Sequence, residues 1–445
     1  MADHEAQRSI GLAGATFTLV GYVIGASVFI LPGELAGQVG PGFFVAYLLA
    51  AVPALLSCVV AAQLGSALHV SGAIYVGVSR SVSPFWGFMA LWAVQLAEVI
   101  GTALVAYGFA DYLVWFIPGL PRTGVALSVA LLFGLVNLAK VKFTVLVQSL
   151  MTVGFLGGLF LFGVGGALHL RPELMTPLFP KGIGVVALAA IPAYFSFSGF
   201  MVLAELAGEI RDPGRTIPRA LGLSFGIVLT AYLLVAVAVP GLLPWTSLSG
   251  VAAPVATAAE TFLPGWLAKF VSIGALLAAT TSINGILLVQ SRELYAIAKD
   301  RVFPAFLSRL SPRSGVPVAA VVAASALAAG AVLMGGSILE YATMSVLGAM
   351  LMQGLAGIAV LRMPATLPER FAASRFQLGP SARWLFGGGL ILASVIFIGI
   401  GAAFSIRATL FFSLFLAIGV GYYYWRRAAL RAQGLVLEDA LRGKL

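Results

Sequence analysis

The chain has 445 residues, of which 60% are hydrophobic and only 9% charged, and its mean hydropathy is +1.04. A soluble domain carries about 25% charged residues. There is too little polar surface here to coat a water-soluble particle, which excludes a soluble enzyme, a nucleic-acid-binding domain and a disordered scaffold. The net charge of +10 does not argue otherwise, because the basic residues sit between apolar runs and membrane topology accounts for them.

The polar start Met1–Ser9 precedes an apolar segment longer than a signal-peptide core, which is read as a retained first span. At roughly 20 apolar residues per crossing, charge-poor stretches predict spans at 10–35, 40–64, 85–113, 123–140, 143–168 and 184–207. They continue at 219–241, 266–290, 317–336, 340–361, 385–404 and 407–425, with a tail at 426–445. The expected fold is all-α and integral to the membrane, with about 12 transmembrane helices in a single transmembrane domain. An even number of crossings leaves both termini on one side. Every Lys and Arg falls on that side except Arg122, Arg171, Lys181, Lys269 and Arg407, a bias that predicts cytoplasmic termini and residence in the cell inner membrane.

Cys58 is the single cysteine, and His4, His69 and His169 are scattered. No disulfide framework, metal site or cofactor is expected. A membrane transferase would need clustered His, Asp or Glu at one membrane face, and a channel would need a polar stripe along its pore; the spans show neither.

Clustered small residues inside two spans are more informative. The first span carries Gly21, Val23, Ile24, Gly25, Ala26 and Ser27 at mid-depth, and the sixth carries Phe195, Ser196, Phe197, Ser198, Gly199 and Phe200. Close helix packing explains such runs in part. Local unwinding explains them better, because freed amides at the start of the next half-helix favour an anion and freed carbonyls hold an ammonium group or a cation. Breaks at corresponding places in two halves point to a transporter's binding site.

These breaks, with three connecting runs, resemble the amino acid–polyamine–organocation superfamily. The runs are Ala204-Glu205-Leu206-Ala207-Gly208-Glu209 continuing through Asp212-Pro213 to Pro218, Ser291-Arg292-Glu293-Leu294-Tyr295, and Asn137 with Val141-Lys142 and Gln148. The resemblance implies a LeuT-type 5+5 inverted repeat with discontinuous helices 1 and 6. The repeats would cover about 10–168 and 184–361, with two C-terminal helices at 385–425. It implies a permease moving an amino acid, or alternatively a polyamine or other organic amine, by alternating access. Amides at Ala26 and Ser27 would receive a substrate carboxylate. Carbonyls of Val23, Phe195 and Ser198 would receive its amine, and one of Phe195, Phe197 and Phe200 would close over it.

The sequence departs from the family in several places. Ser27 replaces the usual third glycine, and the hydroxyl would contact the ligand or narrow the pocket. Met201 follows Phe200 where many members place an acid, and Gln63 stands in the Ala-Glu-Leu signature ending the second span. Several proton-coupled members carry a lysine that by spacing falls near Gly154–Phe155, and no lysine lies between Lys142 and Lys181. Oxygens of Gly21, Ile24, Thr281 and Ser282 could instead hold sodium, so sodium coupling, uncoupled transport and exchange all fit. Those hydroxyls could equally bond their own helix. Glu98, midway along the third span, is the leading intramembrane charge. Such groups are costly and functional, and it is read as a proton carrier or an amine partner.

Overall fold

The computed structural model describes residues 10–442 except 71, 139–144 and 313. The helices are α1 (Leu12–Ile24), α2 (Ser27–Val39), α3 (Phe44–Leu68), α4 (Ala73–Ser81), α5 (Pro84–Phe116), α6 (Arg122–Leu138), α7 (Val145–Leu168), α8 (Ile183–Tyr194) and α9 (Val202–Glu205). They continue with α10 (Pro213–Leu242), α11 (Pro254–Ala259), α12 (Gly265–Lys299), α13 (Val318–Leu333), α14 (Ile338–Thr366), α15 (Pro368–Ala373), α16 (Pro380–Arg383), α17 (Gly389–Phe404), α18 (Ile406–Arg431) and α19 (Leu437–Arg442). Val141 and Lys142 of the fourth-to-fifth connection lie outside the described residues.

Among the described residues ten helical stretches are long and apolar enough to cross a membrane, and the shorter apolar stretches α6 and α13 fall in the fourth and ninth places. The 16-residue α13 reaches only about 24 Å at 1.5 Å per residue, short of a hydrocarbon core of about 30 Å. Helix is the form that satisfies every backbone group without water. Side chains such as Leu132, Leu135, Leu392, Val395, Leu410 and Leu414 stand exposed on the outside of the bundle. A surface of that composition suits lipid and not water.

The inner helices pack through glycine. A Cβ on Gly348 of α14 would lie 2.5 Å from the Ala93 carbonyl oxygen and 3.2 Å from the Ala97 amide nitrogen of α5. Both are backbone atoms and cannot swing aside. Gly348→Ala is expected to destabilise the protein by about 2 kcal/mol or more, measured as a lower midpoint of thermal unfolding in detergent. An unchanged midpoint would show that α5 and α14 separate freely.

The first residues are tied to the loop after the sixth span. Ile10 pairs with Ile210 in an isolated parallel bridge, its amide donating to Glu209 O at 3.2 Å and its carbonyl accepting from Arg211 N at 2.9 Å. At the same end Arg426 of α18 donates to Arg301 O at 2.9 Å. Gln63 accepts from the Leu378 amide at 2.8 Å, so the residue that departs from the Ala-Glu-Leu signature anchors the segment before α16.

Candidate functional site

The first span is interrupted at Gly25-Ala26, between α1 and α2. Gly25 has φ +47, a region that side chains resist, and a Cβ there would lie 2.8 Å from Ser282 Oγ. Helix α2 begins without a side-chain cap. Its first amides, from Ser27 on, combine with the helix dipole as an anion seat. The Ser27 hydroxyl donates to Ile24 O at 3.0 Å.

The sixth span changes helix type at the corresponding place, tightening into a 3₁₀ helix over Phe195–Met201 with no residue of positive φ, unlike the break at Gly25. Helix α8 stops at Tyr194, a tight turn runs from Phe195 to Met201, and α9 resumes. The two breaks touch: a Cβ on Gly199 would lie 2.7 Å from the Tyr22 ring and 3.2 Å from Val23. Tyr232 of α10 joins them, its hydroxyl donating to Ser196 O at 2.8 Å and standing 3.2 and 3.4 Å from the carbonyl oxygens of Val23 and Ile24.

A cavity of about 1000 Å³ runs from these breaks toward the end of the bundle that carries Ile10 and the close of α18. Val23, Gly25, Ser27 and Ser282 line it, as do Phe195, Ser198, Gly199 and Glu98. Gly21, Ile24, Ala26, Ser196, Phe197, Phe200 and Thr281 are buried beside it without forming its wall. Of the three phenylalanines, Phe195 reaches the cavity. Phe197 instead sits edge-on to Tyr47 and Tyr232, with ring centroids 6.0 and 5.0 Å away. Phe200 packs 5.8 Å from Phe225.

Behind the first break is a second polar cluster. Gly21 O accepts from Thr281 Oγ1 and Ser282 Oγ, both at 3.3 Å, while Thr281 also bonds Ala278 O of its own helix at 2.8 Å. Helix α7 presents Thr152 and Gln148 to this place. A Cβ on Gly21 would lie 2.5 Å from Thr152 Oγ1 and 2.8 Å from Gln148 Nε2. The Gly154–Phe155 position packs Phe155 against Gly274 of α12. Apolar packing thus occupies the place where a charged side chain was considered; the neutral polar groups of α7 that reach this cluster are Gln148 and Thr152, and spacing alone had not singled out Thr152.

Toward the open end the wall becomes acidic. Gln95 Nε2 donates to Glu293 Oε2 at 2.7 Å and lies 3.4 Å from Glu98 Oε2. Glu205 Oε1 accepts from the Ile74 amide at 3.3 Å, in the first turn of α4. Glu209 pairs with Arg292 at 3.2 Å. Beyond the membrane-spanning segment, burial pushes the Asp300 carboxyl above its ordinary value, with the Lys299 ammonium opposing the shift. Glu293 was missed as a cavity residue because the eighth span was ended at 290, whereas α12 continues to Lys299. Among the described residues no group of three or more His, Cys, Asp or Glu could hold a metal ion.

The other end is sealed. Arg122 grips Asp111 through both guanidinium arms, Nη2 at 2.9 Å, and lies 4.7 Å above the Tyr107 ring. Tyr107 in turn donates to Val332 O at 2.8 Å. Asp111 is 4% exposed. Below this pair, α2 and α5 are so close that a Cβ on Gly108 would overlap Ile30 and lie 3.0 Å from Ala26 Cβ.

Comparisons with known proteins identify the family. A model of the amino acid permease family matches residues 14–374. The chain is 25% identical to the branched-chain amino acid permease of Bacillus subtilis over 88% of its own length and 89% of that protein. It is 34% identical to an uncharacterised transporter of Mycobacterium tuberculosis over 73% of its own length and 75% of that protein. It is 30% identical to the vacuolar cationic amino acid transporter 4 of Arabidopsis thaliana, over 73% of its own length and 58% of that protein. With the family matched across most of its length and apolar helices enough to cross a membrane many times, the chain belongs to the amino acid permease family, and it is a multi-pass membrane amino acid transporter and not an enzyme.

Proposed function

We propose that this transporter works by alternating access around the two helix breaks, as a secondary transporter built on two inverted repeats. The observation that carries the reading is one cavity that ends at both breaks and reaches one end of the bundle, while its lining stops short of the other end, where Arg122 pairs with Asp111. The cargo's carboxylate sits on the amides at Ala26 and Ser27. Its amine sits among carbonyls of Val23, Phe195 and Ser198, with Phe195 as the aromatic cover. The concentration of Lys and Arg at the end carrying the termini supports cytoplasmic termini in the cell inner membrane, so the cavity faces inward. Glu98 is the coupling-proton candidate. The oxygens of Gly21, Ile24, Thr281 and Ser282 are the sodium candidate, and sodium there must displace hydroxyl hydrogens that already point at Gly21 O.

The deciding measurement is flux into proteoliposomes of the purified protein. The panel holds radiolabelled neutral, aromatic and cationic amino acids plus putrescine, with and without an inward pH gradient and with sodium or choline outside. Uptake of one amino-acid class is expected. Carriage of putrescine with no amino acid would overturn the carboxylate seat, sodium-independent flux would remove the sodium site, and indifference to the gradient would remove the proton.

A further inference from the structure

Glu98 of α5, Glu293 of α12 and Glu205 of α9 converge on the cavity. None of the ion pairs found among the described residues includes any of them. Of the basic side chains on the cavity wall, Arg292 is held by Glu209, and Lys299 and Arg301 lie at and past the end of α12, six and eight residues beyond Glu293. Glu205 already receives an amide hydrogen from the first turn of α4, so the less compensated pair is Glu98 and Glu293, with Gln95 between them. Tyr22 of α1 and Tyr75 of α4 also face the cavity, and neither brings positive charge.

Two amides near this pair are short of partners. Gln95 is 6% exposed; its Nε2 serves the carboxylates, while its Oε1 is buried with no donor. Gln290, one helical turn before Glu293 on α12, is fully buried behind the cavity wall with its Oε1 also lacking a donor; its unpartnered Nε2 is itself a donor and calls for no cation. Buried polar atoms without partners are rare. The set lacks N–H donors carrying positive charge. A single proton supplies one donor, whereas an ammonium supplies three and a guanidinium five.

We propose that Glu98, Glu293 and Gln95 form a seat for a distal cation on the cargo, so that the preferred substrate is an amino acid whose side chain ends in an ammonium or guanidinium group. This rests on the alternating-access reading above. The α-amino acid head occupies the two breaks, and the side chain extends along the same cavity toward the open end.

The test is equilibrium binding of tritiated L-lysine and tritiated L-norleucine, which share a carbon chain and differ in the terminal ammonium, to the full-length purified protein. Cadaverine, which lacks the carboxylate, serves as competitor. Lysine is expected to bind at least 10-fold tighter than norleucine. Glu293→Gln and, separately, Gln95→Leu are expected to cut that preference at least 10-fold and several-fold, in variants that still elute as a single species on size exclusion. Equal or tighter norleucine binding overturns the inference and leaves amino acid transport standing. So does an unchanged preference in both variants, whether or not the pH dependence of both ligands moves, since that marks a site for a proton alone. Cadaverine binding as tight as lysine upholds the distal seat and defeats the carboxylate seat at Ala26 and Ser27. Failure of all three ligands defeats both readings.

Discussion

Gly25→Ala is expected to reduce uptake by at least about 30-fold while the protein still reaches the membrane. Two costs act together. Gly25 has φ +47 and ψ −160, a region nearly closed to other residues, where a side chain costs about 1–3 kcal/mol. The new methyl group also lies 2.8 Å from Ser282 Oγ and 3.3 Å from Ser282 Cβ, an overpacking cost of about 1–3 kcal/mol. Relaxation of either strain moves the start of α2, and with it the amides from Ser27 that form the proposed carboxylate seat. The double variant Gly25→Ala/Ser282→Ala removes the contact with the hydroxyl and leaves the backbone cost. It should recover part of the flux and not all of it. Full activity in the single variant would show that the break is not held in this geometry during transport.

The second large effect concerns the sealed end. Arg122→Ala leaves the Asp111 carboxylate, whose side chain is 6% exposed, without its counter-ion. Breaking a fully buried pair costs about 3–5 kcal/mol. The Arg122 side chain is 45% exposed, so solvent screening reduces the cost below that range, to about 2–3 kcal/mol. That cost falls on the conformer with this end closed and shifts the balance toward the opposite conformer by about 30- to 150-fold. Asp111→Asn removes the charge that needs compensation and should shift it much less. A cysteine placed at Ile30, which is 2% exposed, reads the change. A membrane-impermeant maleimide should label it in the Arg122→Ala background and leave it unlabelled beside an intact pair, with Cys58 first replaced. Equal labelling in the two backgrounds would mean that Asp111 and Arg122 do not hold the gate.

The two helix interruptions that frame the candidate site were legible in one dimension because they are made by backbone. Gly25 and Gly199 stand out in apolar spans because only glycine tolerates the conformation or the close approach there, and their neighbours inherit their roles by adjacency. Glu98 stood out because an ionisable group amid apolar residues is rare in such a span. Side-chain orientation was not legible. Phe195, Phe197 and Phe200 read alike, yet the tight turn sends one into the cavity and two into the packed interior. Equally illegible was the pairing of Asp111 with Arg122 across the short turn between α5 and α6, which buries the carboxylate.

The sequence by itself determined the spans, the two broken helices and the family, since composition, hydropathy and glycine placement act locally and survive without knowledge of the partners. The tertiary structure alone decided which polar groups meet. Thr152 against Gly21, Gln95 between Glu98 and Glu293, and Tyr232 across both breaks each join helices far apart in the chain. In a bundle whose helices are apolar on nearly every side, amphipathic periodicity is too weak to say which face turns inward. The rotation of each helix is set by its packing against the others.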